Sequence, residues 1–381
     1  MRYIKTKIMA ALIIILVVGS LLSCTPSAPN AKTPSTKVGS ISGSAAFEAI
    51  RQAADTYLSS GKALNTVWAE ALYANLTDGK TANDPFIVSL RTPLLYRTGH
   101  ICTAINIPIR ALFMPTFIAT LPTKDTPIVA YGATGNDDGQ AVSLLNMLGY
   151  NVTHLQWGFT SWYKCPVTAP GLFRPAMGGG VGMNYPMSTQ ANVPSKTYDL
   201  PKVTVSGNTP EEVIIAAGNK YFLTEVPPPP DYIGTDAFYK DMFIEPRTAF
   251  NWLSSPATTP FILDIRQPEY YAKGHLEGAV NIPIREVAKI DNLKKLPPNQ
   301  KILVVDNDGQ AGGQVTSILN CLGYDAVELM WGMMGWTRDD NVVVHRFLEY
   351  EPGSDVKSHD IWDYPFCFVT DEGSYETSPN Q

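Results

Sequence analysis

Cysteine is scarce: five in 381 residues. That is too few for a scaffold held by disulfides. The four beyond Cys24, namely Cys102, Cys165, Cys321 and Cys367, follow no metal-binding or redox spacing. A comfortable membrane span is also lacking. The charge-free stretch from Ile8 to Ser23 falls short of the ~20 apolar residues that a bilayer crossing needs. Positive charge is in deficit, with 29 Lys and Arg against 35 Asp and Glu and a net charge of −6. An acidic chain is poorly suited to nucleic acid, so no nucleic-acid partner is expected. What is present, 45% hydrophobic and 17% charged residues, excludes a disordered chain.

The N-terminus stands apart. Arg2, Lys5 and Lys7 precede the apolar stretch, which ends Leu21-Leu22-Ser23-Cys24. Basic, apolar and small residues in that order describe an export signal. The ending resembles the bacterial lipobox, whose cysteine is acylated. The expectation is a signal peptide over 1–23, lipidation at Cys24 and a flexible tether over 24–44, rich in Ser, Pro, Thr and Gly. The protein would then be extracytoplasmic in the cell envelope, with a membrane reached through its N-terminal lipid. An ordinary signal peptide with a chance cysteine, or an uncleaved anchor, is the alternative. Export permits disulfides. A Cys165–Cys367 pair is conceivable, although sequence alone leaves connectivity open. Cys321, among apolar helical positions, reads as a buried thiol.

The rest of the chain states one pattern twice. FIVSLR, YRTGH and INIPIR span Phe86 to Arg110, and FILDIR, YAKGH and VNIPIR span Phe261 to Arg285. A second block, LLNMLGYNVTHLQWGFTSW from Leu144, returns as ILNCLGYDAVELMWGMMGW from Ile318. Short apolar strands are expected at Phe86–Leu90, Ala104–Ile107, Pro127–Tyr131 and Val152–Gln156. Their counterparts are Pro260–Ile265, Ala279–Ile282, Lys301–Val305 and Ala326–Met330. Helices over Gln140–Leu148 and Gln314–Leu322 end at Gly149 and Gly323, where glycine suits a helix C-terminus. Such alternation argues an α/β fold with two domains, each a mainly parallel sheet with helices on both faces. AIRQAADTYL from Ala49 faintly echoes VIIAAGNKYF from Val213. Asn184-Tyr185-Pro186 echoes Asp363-Tyr364-Pro365. The boundaries read as domain 1 over 45–168, a linker or wrapping arm over 169–207, and domain 2 with a C-terminal tail over 208–381. Pro227 to Pro230 reads as a stiff spacer.

The repeated blocks resemble the rhodanese-like domain. Copy two carries its pattern at Asp264, Arg266, Tyr271, Gly274, His275, Gly278, Ala279, Asn281, Ile282 and Pro283. Copy one keeps Arg91, Tyr96, Gly99, His100, Ala104, Asn106, Ile107 and Pro108, but has Ser89 and Thr103 where copy two has Asp264 and Gly278. The resemblance implies a sulfurtransferase fold whose third strand delivers a cysteine into the following loop. Counted back from the glycine of each Leu-Gly-Tyr, that position is Gly132 in copy one and Asp306 in copy two. The usual basic residue of the loop falls at Asp137 and Ala311.

Gly132 has no side chain to attack with, and the hard oxygens of Asp306 cannot carry a sulfane sulfur. Asp137, Asp138, Asp306 and Asp308 would repel an anionic donor by about 1–4 kcal/mol per pair at 4 Å. The expectation is therefore two degenerate domains without a catalytic nucleophile, in a non-catalytic role binding a ligand or a protein in a sulfur-related context. The alternative is a thiosulfate- or mercaptopyruvate-type sulfurtransferase that uses a non-standard or partner thiol. Candidate ligand-loop residues are Gly132, Gly135, Asp137, Asp138, Asp306, Asp308 and Gly309, and the partner is a small anion or a protein. The bland reading of these residues is a tight turn and helix caps. No cofactor and no metal are expected, since Asp306-Asn307-Asp308-Gly309 does not extend into a calcium loop. Arg91, Asp264 and Arg266 read as loop-bracing residues, His100 and His275 as structural hydrogen-bonding groups. Trp157, Trp162, Trp331 and Trp336 read as core or module interface.

Overall fold

A computed structural model describes residues 40–163, 182–225, 242–343, 362–369 and 374–378, with two short strands at Leu348–Glu349 and Lys357–Ser358. The export signal, Cys24, the tether up to Gly39, Cys165 and the run Pro227–Pro230 lie outside the described residues. The described residues form one compact unit.

The unit holds two parallel five-stranded sheets. The first comprises β1 (Thr66–Val67), β2 (Phe86–Ser89), β3 (Ile105–Asn106), β4 (Pro127–Tyr131) and β5 (Asn151–Leu155), in the order β1-β5-β4-β2-β3. The second repeats that order with β6 (Phe243–Ile244), β7 (Phe261–Asp264), β8 (Val280–Asn281), β9 (Lys301–Val305) and β10 (Asp325–Leu329). The central strands are almost continuously apolar because helices cover both faces. The edge strands β1 and β6 have no sequence signature. At two residues each they are too short to alternate, and only pairing with β5 and β10 defines them.

The helices of the first half are α1 (Gly43–Ser59), α2 (Ala69–Leu76), α3 (Pro93–Thr98), α4 (Pro115–Ile118), α5 (Asp138–Met147) and α6 (Phe159–Trp162). Those of the second are α7 (Pro210–Phe222), α8 (Pro246–Leu253), α9 (Pro268–Lys273), α10 (Ile290–Leu293), α11 (Gln310–Cys321) and α12 (Gly332–Trp336). The start of α7 follows from local chemistry. Thr209 Oγ1 accepts from Glu212 N at 3.1 Å, Glu212 Oε2 accepts from Asn208 N at 2.7 Å, and Pro210 opens the first turn.

The halves meet along α5 and α11. Ser143 Oγ and Ser317 Oγ, equivalent residues, lie 2.8 Å apart. Tyr57 OH on α1 donates to Gln314 Oε1 and Tyr221 OH on α7 donates to Gln140 Oε1, each at 2.7 Å. Reciprocal contacts of this kind are what a twofold relation produces. The faint echo between α1 and α7 is thus a structural repeat, and each helix serves the opposite half. On α1, Arg51 donates to the Ala288 carbonyl of the second half. On α7, Gly218 lies against Phe113 and Leu144 of the first. Burial of Phe47, Ile50 and Leu58 on α1, at ~1.5–3 kcal/mol per large side chain, helps hold the two halves as one core.

Two extended straps cross over in the same way. Residues 182–207 follow the first half but dress the second. Tyr185 N donates to the Trp336 carbonyl, Trp336 Nε1 donates to the Pro186 carbonyl, and Ser188 bridges to His275. The C-terminal segment returns to the first half. There Tyr364 N donates to the Trp162 carbonyl, Trp162 Nε1 donates to the Pro365 carbonyl, and Cys367 bridges to His100. The paired Asn-Tyr-Pro and Asp-Tyr-Pro sequences mark these straps. Cys367 is bonded to Cys102, with Cα atoms 5.0 Å apart, and not to Cys165, because the antiparallel bridge at His100 brings those two together. Cys321 is a buried free thiol.

Candidate functional site

The loops after β4 and β9 reach the interface between the halves and interlock there. In the second loop Asp306 turns back on its own backbone. Its Oδ1 accepts from Gly309 N at 2.7 Å, and its Oδ2 accepts from Ala311 N and Gly312 N, each at 2.9 Å. This is the cradle that a loop leading into a helix offers an anion, filled by the chain's own carboxylate. Asp306 is 2% exposed. Burial, then Asp308, pushes its carboxyl up to about 7 against the pull of the three N–H groups.

The first loop reaches a similar arrangement from another position. Gly132 has no side chain, and a Cβ placed there would land on Asp137 Oδ1. The carboxylate that stands at 306 in one half is supplied from 137 in the other, where the second half has Ala311. Burial raises the Asp137 carboxyl, while nearby backbone N–H groups and Arg91 lower it. Fully buried Asp138 is pushed well above the ordinary carboxyl range, by burial and then by Asp137.

Each loop is held by the other half. Asn136 Oδ1 accepts from Trp331 N at 2.8 Å, and its Nδ2 donates to Thr134 Oγ1 at 3.1 Å. Gln156 Nε2 donates to Asp308 Oδ2 at 3.3 Å. Gly135 and Gly309 have left-handed backbones, both with φ of 90°. A side chain on Gly309 would meet Asn136 Oδ1, and one on Gly135 would meet Gln310. Gly135 and Gly309 therefore serve both turn geometry and the close approach of two loops. Trp157 and Trp331 also hold positive φ and are buried, with ring centroids 6.2 Å apart.

The bracing residues divide. Arg266 is paired to Asp264 inside the protein, Nη2 to Oδ2 at 2.7 Å, and donates to the Gly274 carbonyl at 2.7 Å. Arg91, opposite Ser89, donates instead to the carbonyls of Gly99 and Leu95 and lies over the Phe159 ring at 4.2 Å. Burial lowers its guanidinium to about 10. His100 and His275 each contact the carbonyl of the stacked tyrosine four residues earlier, through Nδ1 at 2.8 and 2.7 Å. Neither histidine is part of the loops.

Two groups at the interface escaped sequence reasoning. Glu328 on β10 is fully buried beside Asp306 and Gln140, and its Oε1 has no hydrogen-bond partner. Burial, then Asp306, pushes its carboxyl well above the usual range. His154, its counterpart on β5, is buried and driven down to about 4 by burial. The available signal was an ionisable residue at the fourth position of a matched strand, His154 in Asn151–Leu155 and Glu328 in Asp325–Leu329. Gln140 and Gln314, and Ser143 and Ser317, were likewise visible as matched polar residues in the repeat.

A cavity of about 260 Å³ opens over the second loop, between Ile265, Tyr270, Ile284, Asp306 and Ala311, with Leu64 at its edge. No group of three or more His, Cys, Asp or Glu suited to a metal ion occurs among the described residues. No thiol described lies at either loop. Cys321 ends α11, roughly 16 Å from the loop at 1.5 Å per helical residue, and burial pushes it to about 12. With strand order, loop position and repeat in place, comparison with known families decides the matter. The rhodanese-like domain matches twice, at residues 69–165 and 249–339.

The chain belongs to the rhodanese-like family.

Among curated relatives, thiosulfate sulfurtransferase PspE of Escherichia coli is 37% identical over 71 residues, 19% of this chain and 68% of that protein. The putative sulfur carrier protein YrkF of Bacillus subtilis is 34% identical over 77 residues, 20% of this chain and 40% of its own length. Of the solved structures, a rhodanese-related protein from Thermoplasma volcanium is 28% identical, covering 26% of this chain and 89% of that one with a TM-score of 0.22. A thiosulfate sulfurtransferase from Pseudomonas aeruginosa is 16% identical, covering 74% of this chain and 46% of that one with a TM-score of 0.25.

Proposed function

We propose that this rhodanese-like protein does not transfer sulfur itself and works as a non-catalytic binding protein of the cell envelope. One observation carries the reading: the Asp306 carboxylate takes the three N–H groups that would otherwise cradle an anionic sulfur. Gly132, with Asp137 folded over it, supplies no nucleophile either. The cavity over Asp306 joins apolar walls to the carboxylates of Asp306 and Asp308, and the one cation in its lining, Arg266, is paired with Asp264. That suits a ligand with hydrogen-bond donors better than a sulfur oxyanion. Purified protein should form no thiocyanate from thiosulfate or mercaptopyruvate with cyanide as acceptor. Turnover at the level of a cysteine-bearing relative would sink the proposal. In Asp306→Ala the three N–H groups are released, and the variant should bind thiosulfate in isothermal titration where the parent shows no heat.

A second reading draws on the sulfurtransferase relatives. A partner protein's thiol entering the cavity over Asp306 would make this chain an accessory to sulfur transfer. Persulfide labelling of a thiol-bearing partner in the presence and absence of this protein separates the two.

The envelope location rests on the export pattern around Cys24, and the Cys102–Cys367 disulfide supports it, because such bonds persist in oxidising compartments. No helix among the described residues is long and apolar enough to cross a membrane. Cys24→Ala should move the protein from the membrane pellet to the soluble fraction and abolish labelling by a fatty-acid analogue.

A further inference from the structure

The two straps are alike in contact but unlike in attachment. The strap on the second half continues at both ends into the chain, since residue 207 leads directly into α7. The strap on the first half is the segment 362–369, whose residues Cys367–Val369 also pair antiparallel with Tyr375–Thr377. It alone carries a disulfide: Cys367 to Cys102 on the first half, where the second half has Ser188 beside His275 and Glu277 opposite Cys102. Both cysteines are only partly buried.

The strap covers an aromatic groove. Tyr364 stacks on Tyr73 at 4.0 Å, Phe366 lies against Tyr163 at 4.3 Å and edge-on to Phe159 at 6.4 Å, and Trp362 N donates to the Ser161 carbonyl at 3.0 Å. The strap is thus seated on α6. The other side of α6 holds the first loop: Phe159 N donates to the Gly132 carbonyl at 3.0 Å, and Thr160 N and Oγ1 donate to the Ala133 carbonyl at 3.2 and 2.7 Å. One four-residue helix therefore joins the strap to the loop at Gly132.

We propose that the Cys102–Cys367 disulfide is a redox lock on this strap, and that its reduction loosens the Gly132 loop through α6. The reductant is a dithiol. One of its thiolates attacks a sulfur of the Cys102–Cys367 bond, which breaks as a mixed disulfide forms. Its second thiol then displaces the cysteine and closes the reductant's own disulfide. Two electrons and two protons end on Cys102 and Cys367 as thiols. Among the described residues the strap then keeps its aromatic contacts, the Trp162 Nε1 bond to the Pro365 carbonyl and its backbone hydrogen bonds, without the cross-link to the first half. The second half has no such lock, so the device acts on one loop of the pair.

This bears on the same loops as the binding role above, but its test reads backbone exchange and not ligand binding, so each can fail alone. Hydrogen exchange followed by mass spectrometry compares oxidised protein, protein in dithiothreitol and the double variant Cys102→Ser, Cys367→Ser. Amides of 362–369 and of 132–139 should exchange at least about tenfold faster in both reduced forms, with 306–313 unchanged. Two free thiols at Cys102 and Cys367 in non-reduced protein would overturn the lock. An opened strap with unchanged exchange at 132–139 would overturn the relay, and so would equal acceleration at 306–313, which would mean general loosening.

Discussion

Gly139→Ala should lower stability by about 3 kcal/mol, read as an earlier midpoint in urea at unchanged slope. Gly139 stands in the first turn of α5, where α5 passes α11. A Cβ there would run into the Gln310 backbone carbonyl of the other half and press on Gln314 Cγ at 3.3 Å. The obstacle is backbone, so no rotamer change relieves it. A Cβ on its equivalent, Gly313, would stand 2.7 Å from the Asn136 carbonyl oxygen and 2.8 Å from Glu328 Oε2, and Gly313→Ala should cost a similar amount. Both substitutions improve intrinsic helix propensity by roughly 1 kcal/mol, so an isolated helix would predict the opposite sign. A neutral or stabilising result at both positions would mean that the halves do not meet along α5 and α11.

The second large effect is electrostatic. Glu328→Gln should raise stability at pH 8 by a few kcal/mol and change little at pH 5, measured by thermal unfolding across that range. Glu328, Asp306, Asp138 and Asp137 converge at the interface, and burial raises each carboxyl. Arg91 is the guanidinium that acts on Asp137, and Arg266 is already paired with Asp264. A carboxyl raised in the folded state binds a proton there at a pH where the unfolded chain has lost it. Stability is therefore fully present below the unfolded value near 4, and it falls as pH rises through the folded value. For Asp306 the loss runs from about pH 4 to about 7, at roughly 1.4 kcal/mol per pH unit. For Glu328, pushed up first by burial and then by Asp306, the loss has the same sign. An amide at 328 keeps an oxygen for Gln140 Nε2 and cannot ionise. A flat stability profile in the parent protein from pH 5 to 8 would remove the basis for this expectation.

Both predictions concern the contact between the halves, where sequence reading was weakest. The parallel sheets were legible because buried strands such as Pro127–Tyr131 and Lys301–Val305 write their burial as unbroken apolar runs. The straps were legible only as two short echoes, Asn184-Tyr185-Pro186 and Asp363-Tyr364-Pro365. Those echoes say that the segments are equivalent, not which half each one dresses. The loops show the same split. Gly132 and Asp306 were identified as positions without a thiol, while the filling of the first loop by Asp137 needs a backbone that folds five residues back on itself.

The amino-acid sequence alone determined the family and the duplication, because these depend on residue identity at fixed spacing. Tertiary structure alone decided that α1 and α7 each complete the opposite half, that Cys102 is the partner of Cys367, and that a carboxylate occupies the centre of both loops. The physical reason is common to all three. They are contacts between segments far apart in the chain, fixed by packing and by which polar groups can be satisfied once water is excluded, and no local pattern records them.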